Sequence, residues 1–454
     1  MDALTEHLSS YVAGLAYDDI PADAVHGMKV RLVDSIGCAI GGQDGEPVAV
    51  ARALAREAGA ATPARVWFTG ERTTPELAAF ANELMVRYLD FNDTYFALDG
   101  GHPSDTIAAT LTLSDALGLN GRDALVAMVA GYEVFCGLGE VQKPSTKFID
   151  HSLHVAIGSA AGASKALGLD AQRTAHAISI ALTSNLALRI SRDGKLSMWK
   201  AGSAANSAQA AVFAARLAER GMTGPEEPFY ADSGLAGMLG ARTPLPALGG
   251  ASDRFHTSLS SIKAFPAQFN AQAAIWAALG LRERLQSRLP DRILVSSYRQ
   301  AVTSSADPDK WRVHDRETAD HSMPYVIAAA LLDGEVTVRQ FTDERIADPA
   351  VHDLMARVEV AEDPEMTARF PRAQAARIEA VAGGETYVVE IENSKGNAAN
   401  PLSDEEVEAK FRALAGGVME QEQVGSLLSR LWAFEEEPSV PGVIDAMALG
   451  EGSG

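Results

Sequence analysis

Arg292-Ile293-Leu294-Val295-Ser296-Ser297-Tyr298 marks the place where the chain changes character. With its short apolar run Ile293-Leu294-Val295 it reads as a strand. Two more segments of this kind follow. Ala356 to Val360 is one; the other is Arg377 to Val381 and Tyr387 to Ile391 joined through Gly383-Gly384, the signature of a hairpin. Between them, Tyr325 to Leu332 and Val336 to Phe341 have helical spacing, which makes this stretch a small α+β module.

Outward from that module, both flanks are helical. Upstream, Asp34 to Gly42 ends in paired glycines, Asp105 to Leu117 stops at Gly118, and Arg122 to Gly137 repeats the pattern. Gly158 to Leu167, Ala171 to Leu188 and Ala201 to Arg220 follow, with Gly168 and Gly221 as stops. Helices this rich in Ala and Gly predict a closely packed bundle. Downstream of Asn400-Pro401-Leu402-Ser403 the helical pattern returns. Ser403 and Glu406 have capping-box spacing, and Ala409 to Phe434 is amphipathic. The expected fold is therefore mainly α with an inserted α+β domain: helical residues 1–266, the α+β insertion 267–401, and a helical tail 402–454 that returns to the first part. The end, Gly452-Ser453-Gly454, should fray.

Composition narrows the function. A chain of 454 residues, 47% of them apolar, can build two or three cores. Its formal charge of -21 excludes nucleic acid as a partner, because that needs clustered cations, and speaks against anionic membranes. Cys38 and Cys136 are the only cysteines, too few for a disulfide framework, a thiolate zinc site or an iron–sulfur cluster, and read best as buried small hydrophobes. The start, Met1-Asp2-Ala3-Leu4, has no basic segment followed by an apolar run. The richest apolar stretch, Ala201 to Leu217, falls short of a membrane span. The expectation is a cytoplasmic protein without membrane attachment.

Five clusters could do chemistry. In Leu89-Asp90-Phe91-Asn92-Asp93-Thr94, Asp90 and Thr94 would share a face if the segment were helical. His102 stands before Pro103-Ser104-Asp105, the expected start of a helix, where free N–H groups and an imidazole could bind an anion. Asp150-His151 and His154 form a second group with no third ligand at metal spacing, so a proton-transfer role fits His151 better than a metal. Lys200 opens a long small-residue helix. A cation there makes sense if a bound carboxylate sits between it and the helix N-terminus. Lys263-Ala264-Phe265-Pro266 lies at the expected domain boundary, where small-molecule pockets concentrate. From Asp320-His321-Ser322-Met323-Pro324-Tyr325, either His321 or Tyr325 could reach such a cleft.

These blocks, in this order, resemble the MmgE/PrpD family over roughly residues 1 to 415: Leu89 to Thr94, His102 to Asp105, Gly131-Tyr132-Glu133, Asp150-His151, Trp199-Lys200-Ala201, Lys263 to Pro266, Ala319-Asp320-His321 with Tyr325, and Asn400 to Ser403. The resemblance implies a large helical domain, an inserted α+β lid and a homodimer. It implies metal-free, cofactor-free chemistry on a small polycarboxylate: 2-methylcitrate dehydration, with epimerisation or decarboxylation of a related acid as alternatives, or an inactive carboxylate-binding protein. Carried over by position, it implies Asp90, His102, His151 and Lys200 as catalytic residues, and Thr94, Lys263 and Tyr325 as substrate contacts. Gln268 and Asn270 stand where many members carry a histidine or an acid, so at these places the chain can bind but cannot transfer protons.

Overall fold

The computed structural model describes residues 1–249 and 254–449; Gly452-Ser453-Gly454 lies outside the described residues. Helices Ala3–Gly14 (α1), Ala22–Gly42 (α2), Glu46–Arg56 (α3), Pro75–Tyr88 (α4), Ile107–Leu117 (α5), Gly121–Val141 (α6), Ser152–Ala166 (α7), Ala171–Ser184 (α8) and Trp199–Glu219 (α9) make the first part. Their main core runs from Leu4 to Ile262 and takes up again from Val407 to Met447, so the tail helices Asp404–Ala415 and Gln421–Trp432 belong to it. A second core, from Phe265 to Val389, belongs to the α+β module. The protein is thus mainly α with an α+β domain, as its patterning predicts.

The glycines and alanines work as close-approach residues. A Cβ at Gly131 would stand 2.8 Å from the Gly158 carbonyl oxygen, and one at Gly158 would stand 2.7 Å from that of Gly131. Helices α6 and α7 therefore meet backbone to backbone, and any side chain at these positions would push them apart. α6 is also the longest apolar helix; by length and composition it could cross a membrane, but 89% of that window is buried inside the fold. Among the described residues it, not Ala201–Leu217, is the helix with the length and composition of a span, and burial inside the fold accounts for its apolar character.

In the second part, a four-stranded sheet has the order Val358–Glu362, Arg292–Ser297, Ala376–Ala382, Glu385–Ile391. The first pair is parallel, with Ile293 opposite Val358, and the others are antiparallel, with Val295 opposite Ile378. Ile293, Val295 and Ser297 point inward and helices Gln272–Arg284 and Met323–Asp333 cover that face. Gly383 and Gly384 make the hairpin turn with φ of +59° and +83°, a region that favours glycine. The second strand starts two residues later than its sequence suggests, because a helix runs to Met355 first. Of Val336 to Phe341 only a 3₁₀ turn, Val338–Phe341, forms.

One departure shapes the site. The segment after α4 is not helical. α4 ends at Tyr88, Asp90 takes φ +49°, and Asp93–Phe96 is a strand. That strand pairs with Ser261-Ile262 on one side and Gly100-Gly101 on the other. Asp90 and Thr94 therefore share no helix face. The small sheet brings Lys263 and His102 to the same place from 161 positions apart.

Candidate active site

Between the two cores lies a cleft of about 690 Å³. Its lining includes Asp90, Thr94, His102, His151, Lys263, Gln268, Asn270 and His321. Lys263 is wholly buried and donates to the Asp90 carboxylate at 2.6 Å and to its backbone carbonyl at 2.8 Å. Arg87 Nη1 reaches the same Asp90 oxygen at 2.7 Å. Burial opposes charge on Asp90, but Lys263 and then Arg87 overcome it and hold the carboxyl well below its ordinary range. Two cations on one oxygen also explain the left-handed backbone at Asp90, a strained conformation for a residue with a side chain. The tail helps to hold this corner, because Lys410 donates to the Phe91 and Lys263 carbonyls and pairs with Asp34 at 2.5 Å.

The three histidines are held differently. His102 Nδ1 sits 2.6 Å from the Asp93 carbonyl, to which it donates, and 3.3 Å from Thr94 Oγ1. That bond leaves Nε2 as an acceptor. Burial, then Arg87 and Lys263, push the His102 pKa well below the ordinary imidazole value, so the ring is neutral. His321 Nδ1 lies 2.6 Å from Asp320 and 3.5 Å from Asp90, which likewise assigns its proton to Nδ1. Burial and then Lys200 lower its pKa too. His151 packs edge-on to His102, ring centroids 5.2 Å apart, with Asp150 3.5 Å from Nδ1 and Asp105 4.0 Å from Nε2. Asp150 is held charged against burial chiefly by Arg192, 3.2 Å away.

Three expected roles do not fit. Lys200 does not line the cleft: its Nζ donates to both oxygens of Asp320 at 2.7 and 2.6 Å, and both side chains are buried. The carboxylate that its helix start called for is a protein one, supplied across the domain boundary. Tyr325 is fully buried away from the cleft and donates its hydroxyl to the Gln340 carbonyl. Asp90 reaches the cleft, but a carboxyl stabilised so strongly in its charged form is a poor proton acceptor. The anion place before α5 is also filled from within, since Ser104 N–H donates to Asp93 Oδ1 at 3.1 Å.

Gln268 and Asn270 stand on the α+β side. Gln268 Oε1 accepts from Ser305, while Asn270 Oδ1 accepts from Tyr298 at 2.6 Å and its Nδ2 donates to Ser304 at 2.9 Å. One Asn270 N–H remains for a ligand. Asn270→Ala is therefore expected to raise KM a few-fold, the loss of about 0.5–1.5 kcal/mol of hydrogen bonding, and to leave the pH–rate profile in place. Steady-state kinetics from acid to alkaline pH check this; a displaced profile would mean that Asn270 sets a catalytic proton.

Sequence reasoning undervalued His321 and missed Arg87 and Arg192. Asp320-His321 repeats the Asp150-His151 dipeptide, and that repetition is the signal that could have raised it. Asp90, Asp320 and His321 each offer a ligand atom within 4.8 Å of the others, enough in number for a metal ion. The carboxylate oxygens already hold Lys200 and Lys263 at 2.6–2.7 Å, however, and a cation would have to displace both ammonium groups. Blocks outside the cleft hold its walls: Tyr132 donates to Asp93 at 2.6 Å, and Glu133 pairs with His256 at 2.8 Å. Cys38 and Cys136 are buried, and burial pushes the Cys38 thiol up to about 12.

The chain is 27% identical to cis-aconitate decarboxylase of Mus musculus, over 96% of its length and 91% of that protein. It is 27% identical to the mitochondrial 2-methylcitrate dehydratase of Yarrowia lipolytica, over 81% of this chain and 74% of the other. With 2-methylcitrate dehydratase of Escherichia coli K12 the identity is 28%, over 67% and 66%. Residues 6–246 match the MmgE/PrpD N-terminal domain and residues 265–433 the MmgE/PrpD C-terminal domain. The chain belongs to the MmgE/PrpD family.

Proposed function

We propose that this protein is a metal-independent hydro-lyase that dehydrates 2-methylcitrate or a near relative through a carbanion-like intermediate. The observation that carries the reading is the convergence of His102, His151, His321 and Lys263 on one cleft between the two domains. Neutral His321, oriented by Asp320, takes the proton from the carbon beside a substrate carboxylate. The electron pair left behind spreads into that carboxylate, which Lys263 stabilises. His151, with a carboxylate near each ring nitrogen, returns a proton to the departing hydroxyl, so that water and an alkene leave. His102 and Thr94 hold the substrate oxygens, and Arg192 and Arg189 at the mouth meet the remaining carboxylates.

One observation favours a second outcome. The decarboxylase relative matches this chain over 96% of its length, against 67% for the bacterial dehydratase. Decarboxylation of cis-aconitate needs the same carbanion stabilisation: carbon dioxide leaves in place of the proton, and a histidine of the cleft then delivers a proton to the carbanion. Turnover of 2-methylcitrate and of cis-aconitate by EDTA-treated protein separates the two; inactivity restored by one specific metal would refute the metal-free reading. The reading includes a homodimer, supported by a strip of exposed apolar residues beside the cleft mouth: Phe148, Leu188, Ile190 and Trp199. Light scattering should give twice the chain mass of 47.9 kDa; a monomer would remove this part.

A further inference from the structure

Away from the cleft stand two buried carboxyl groups: Asp105, which faces His151 Nε2, and Glu83, which the chemistry above does not use. Glu83, on α4, is wholly buried, and neither of its side-chain oxygens has a hydrogen-bond partner among the described residues. Asp105, also wholly buried, accepts from Asn92 at 2.7 Å through Oδ1, while its Oδ2 has no hydrogen bond. Two more unpartnered atoms face that same Oδ2: Arg87 Nε at 3.5 Å and His151 Nε2 at 4.0 Å. Buried polar atoms are nearly always paired, so a group of orphans around one oxygen calls for a cause.

Charge explains it. Arg87 is the only cation on α4 near Glu83, and its Nη1 is already committed to Asp90 at 2.7 Å and Asn92 at 3.0 Å. Were Glu83 and Asp105 both ionised, one guanidinium would face three carboxylates in a dry interior, and Glu83 would have no donor at all. One proton between Glu83 and Asp105 removes the second charge and gives Glu83 a hydrogen bond to make. We propose that Glu83 and Asp105 share a single proton at neutral pH, Glu83 donating it to Asp105, and that this pair is the one-charge support on which His151 is positioned.

The electrostatic surroundings agree. Burial, and then the Asp105 charge, push the Glu83 carboxyl well above its ordinary value, and burial likewise raises Asp105. Facing the pair are Arg87 from α4, Asp93 from the strand, His151 from the start of α7 and Arg192 from the loop before α9, while Asp90, from the turn after α4, shares Arg87 with them. A proton shared in this way belongs to the pair and to neither residue alone. Glu83 touches no substrate; it is a positioning residue that acts through Asp105. Its link to turnover rests on the function proposed for His151, but its protonation does not, and the test is built on protonation.

Glu83→Gln keeps the shape and a donor N–H toward Asp105 but cannot ionise. An acid whose folded pKa is raised is a growing burden as pH climbs past its unfolded value, since the unfolded chain ionises first. E83Q should therefore melt at or above the wild-type temperature at neutral pH, gain on wild type as pH rises, and converge with it toward pH about 4, near the unfolded carboxyl value. A protonated-carboxyl infrared band present in the wild type at neutral pH should be absent from E83Q. Asp105→Asn should shift that band, because the acceptor becomes an amide. An E83Q protein that fails to fold, or that melts well below wild type with no change in the infrared band, would show Glu83 to be ionised and overturn the proposal. Inactivity of the wild type on every polycarboxylate would count against the proposed function alone.

Discussion

His321→Asn is expected to lower turnover by about 10²–10⁴-fold, the usual contribution of a positioned general base, with little change in melting temperature. Asparagine can place an amide N–H where His321 Nδ1 meets Asp320 at 2.6 Å, so the buried carboxylate keeps its donor. What it removes is the acceptor nitrogen that faces the cleft. The wild-type acid limb should also be displaced. Burial and the neighbouring Lys200 lower the His321 pKa, so the base stays unprotonated, and activity persists, to a pH below the ordinary imidazole value. In His321→Asn that limb should vanish from whatever activity remains. Wild-type turnover in His321→Asn, measured across the pH range, would transfer the base role to His102, whose ring is neutral for the same reason.

Lys200→Met should act first on stability. It leaves Asp320 charged, buried and short of its principal partner, a loss of roughly 3–5 kcal/mol for an ion pair broken from one side. Turnover should fall at least tenfold as well, because Asp320 is what orients His321. Lys200→Met combined with Asp320→Asn should recover most of the stability, since no unpaired charge remains, but not the activity. Thermal melts and rates on the two single variants and the double separate this account from the alternative. If Lys200 instead bound a substrate carboxylate, Lys200→Met would melt normally and raise KM, and the second substitution would rescue nothing.

The parts of the fold legible in sequence were those set by local rules. The hairpin at Gly383-Gly384 needs two glycines at positive φ, and the Ser403–Glu406 capping box closes a helix start; both formed where their residues stand. The turn at Asp90 was not legible. Arg87, three positions before it, supplies one cation, but the second, Lys263, comes from 173 positions away and no local pattern announces it. Lys200 taught the same lesson. Its place at a helix start correctly called for an anion, but the anion is Asp320, 120 positions on, and not a ligand. The start of α5 repeats the case, with Asp93 taking the N–H that was expected to meet substrate. Charge balance in a buried site can be inferred from sequence; which carboxylate completes it depends on how the domains dock. Tyr325 failed for a simpler reason: its helix turns that ring into the second core, where the Gln340 carbonyl takes its hydroxyl proton.

The central claim is that one metal-free cleft removes a proton or a carboxylate beside a substrate carboxylate. Proton NMR of 2-methylcitrate and of cis-aconitate, incubated with EDTA-treated protein in deuterated buffer, tests it most directly. 2-Methylcitrate should give an alkene with loss of water, at a rate that His321→Asn lowers by about a hundredfold or more. Carbon dioxide and a deuterated product from cis-aconitate would select the decarboxylase outcome with the same residues. Unchanged spectra for both acids, with no C–H exchange after prolonged incubation, would contradict it.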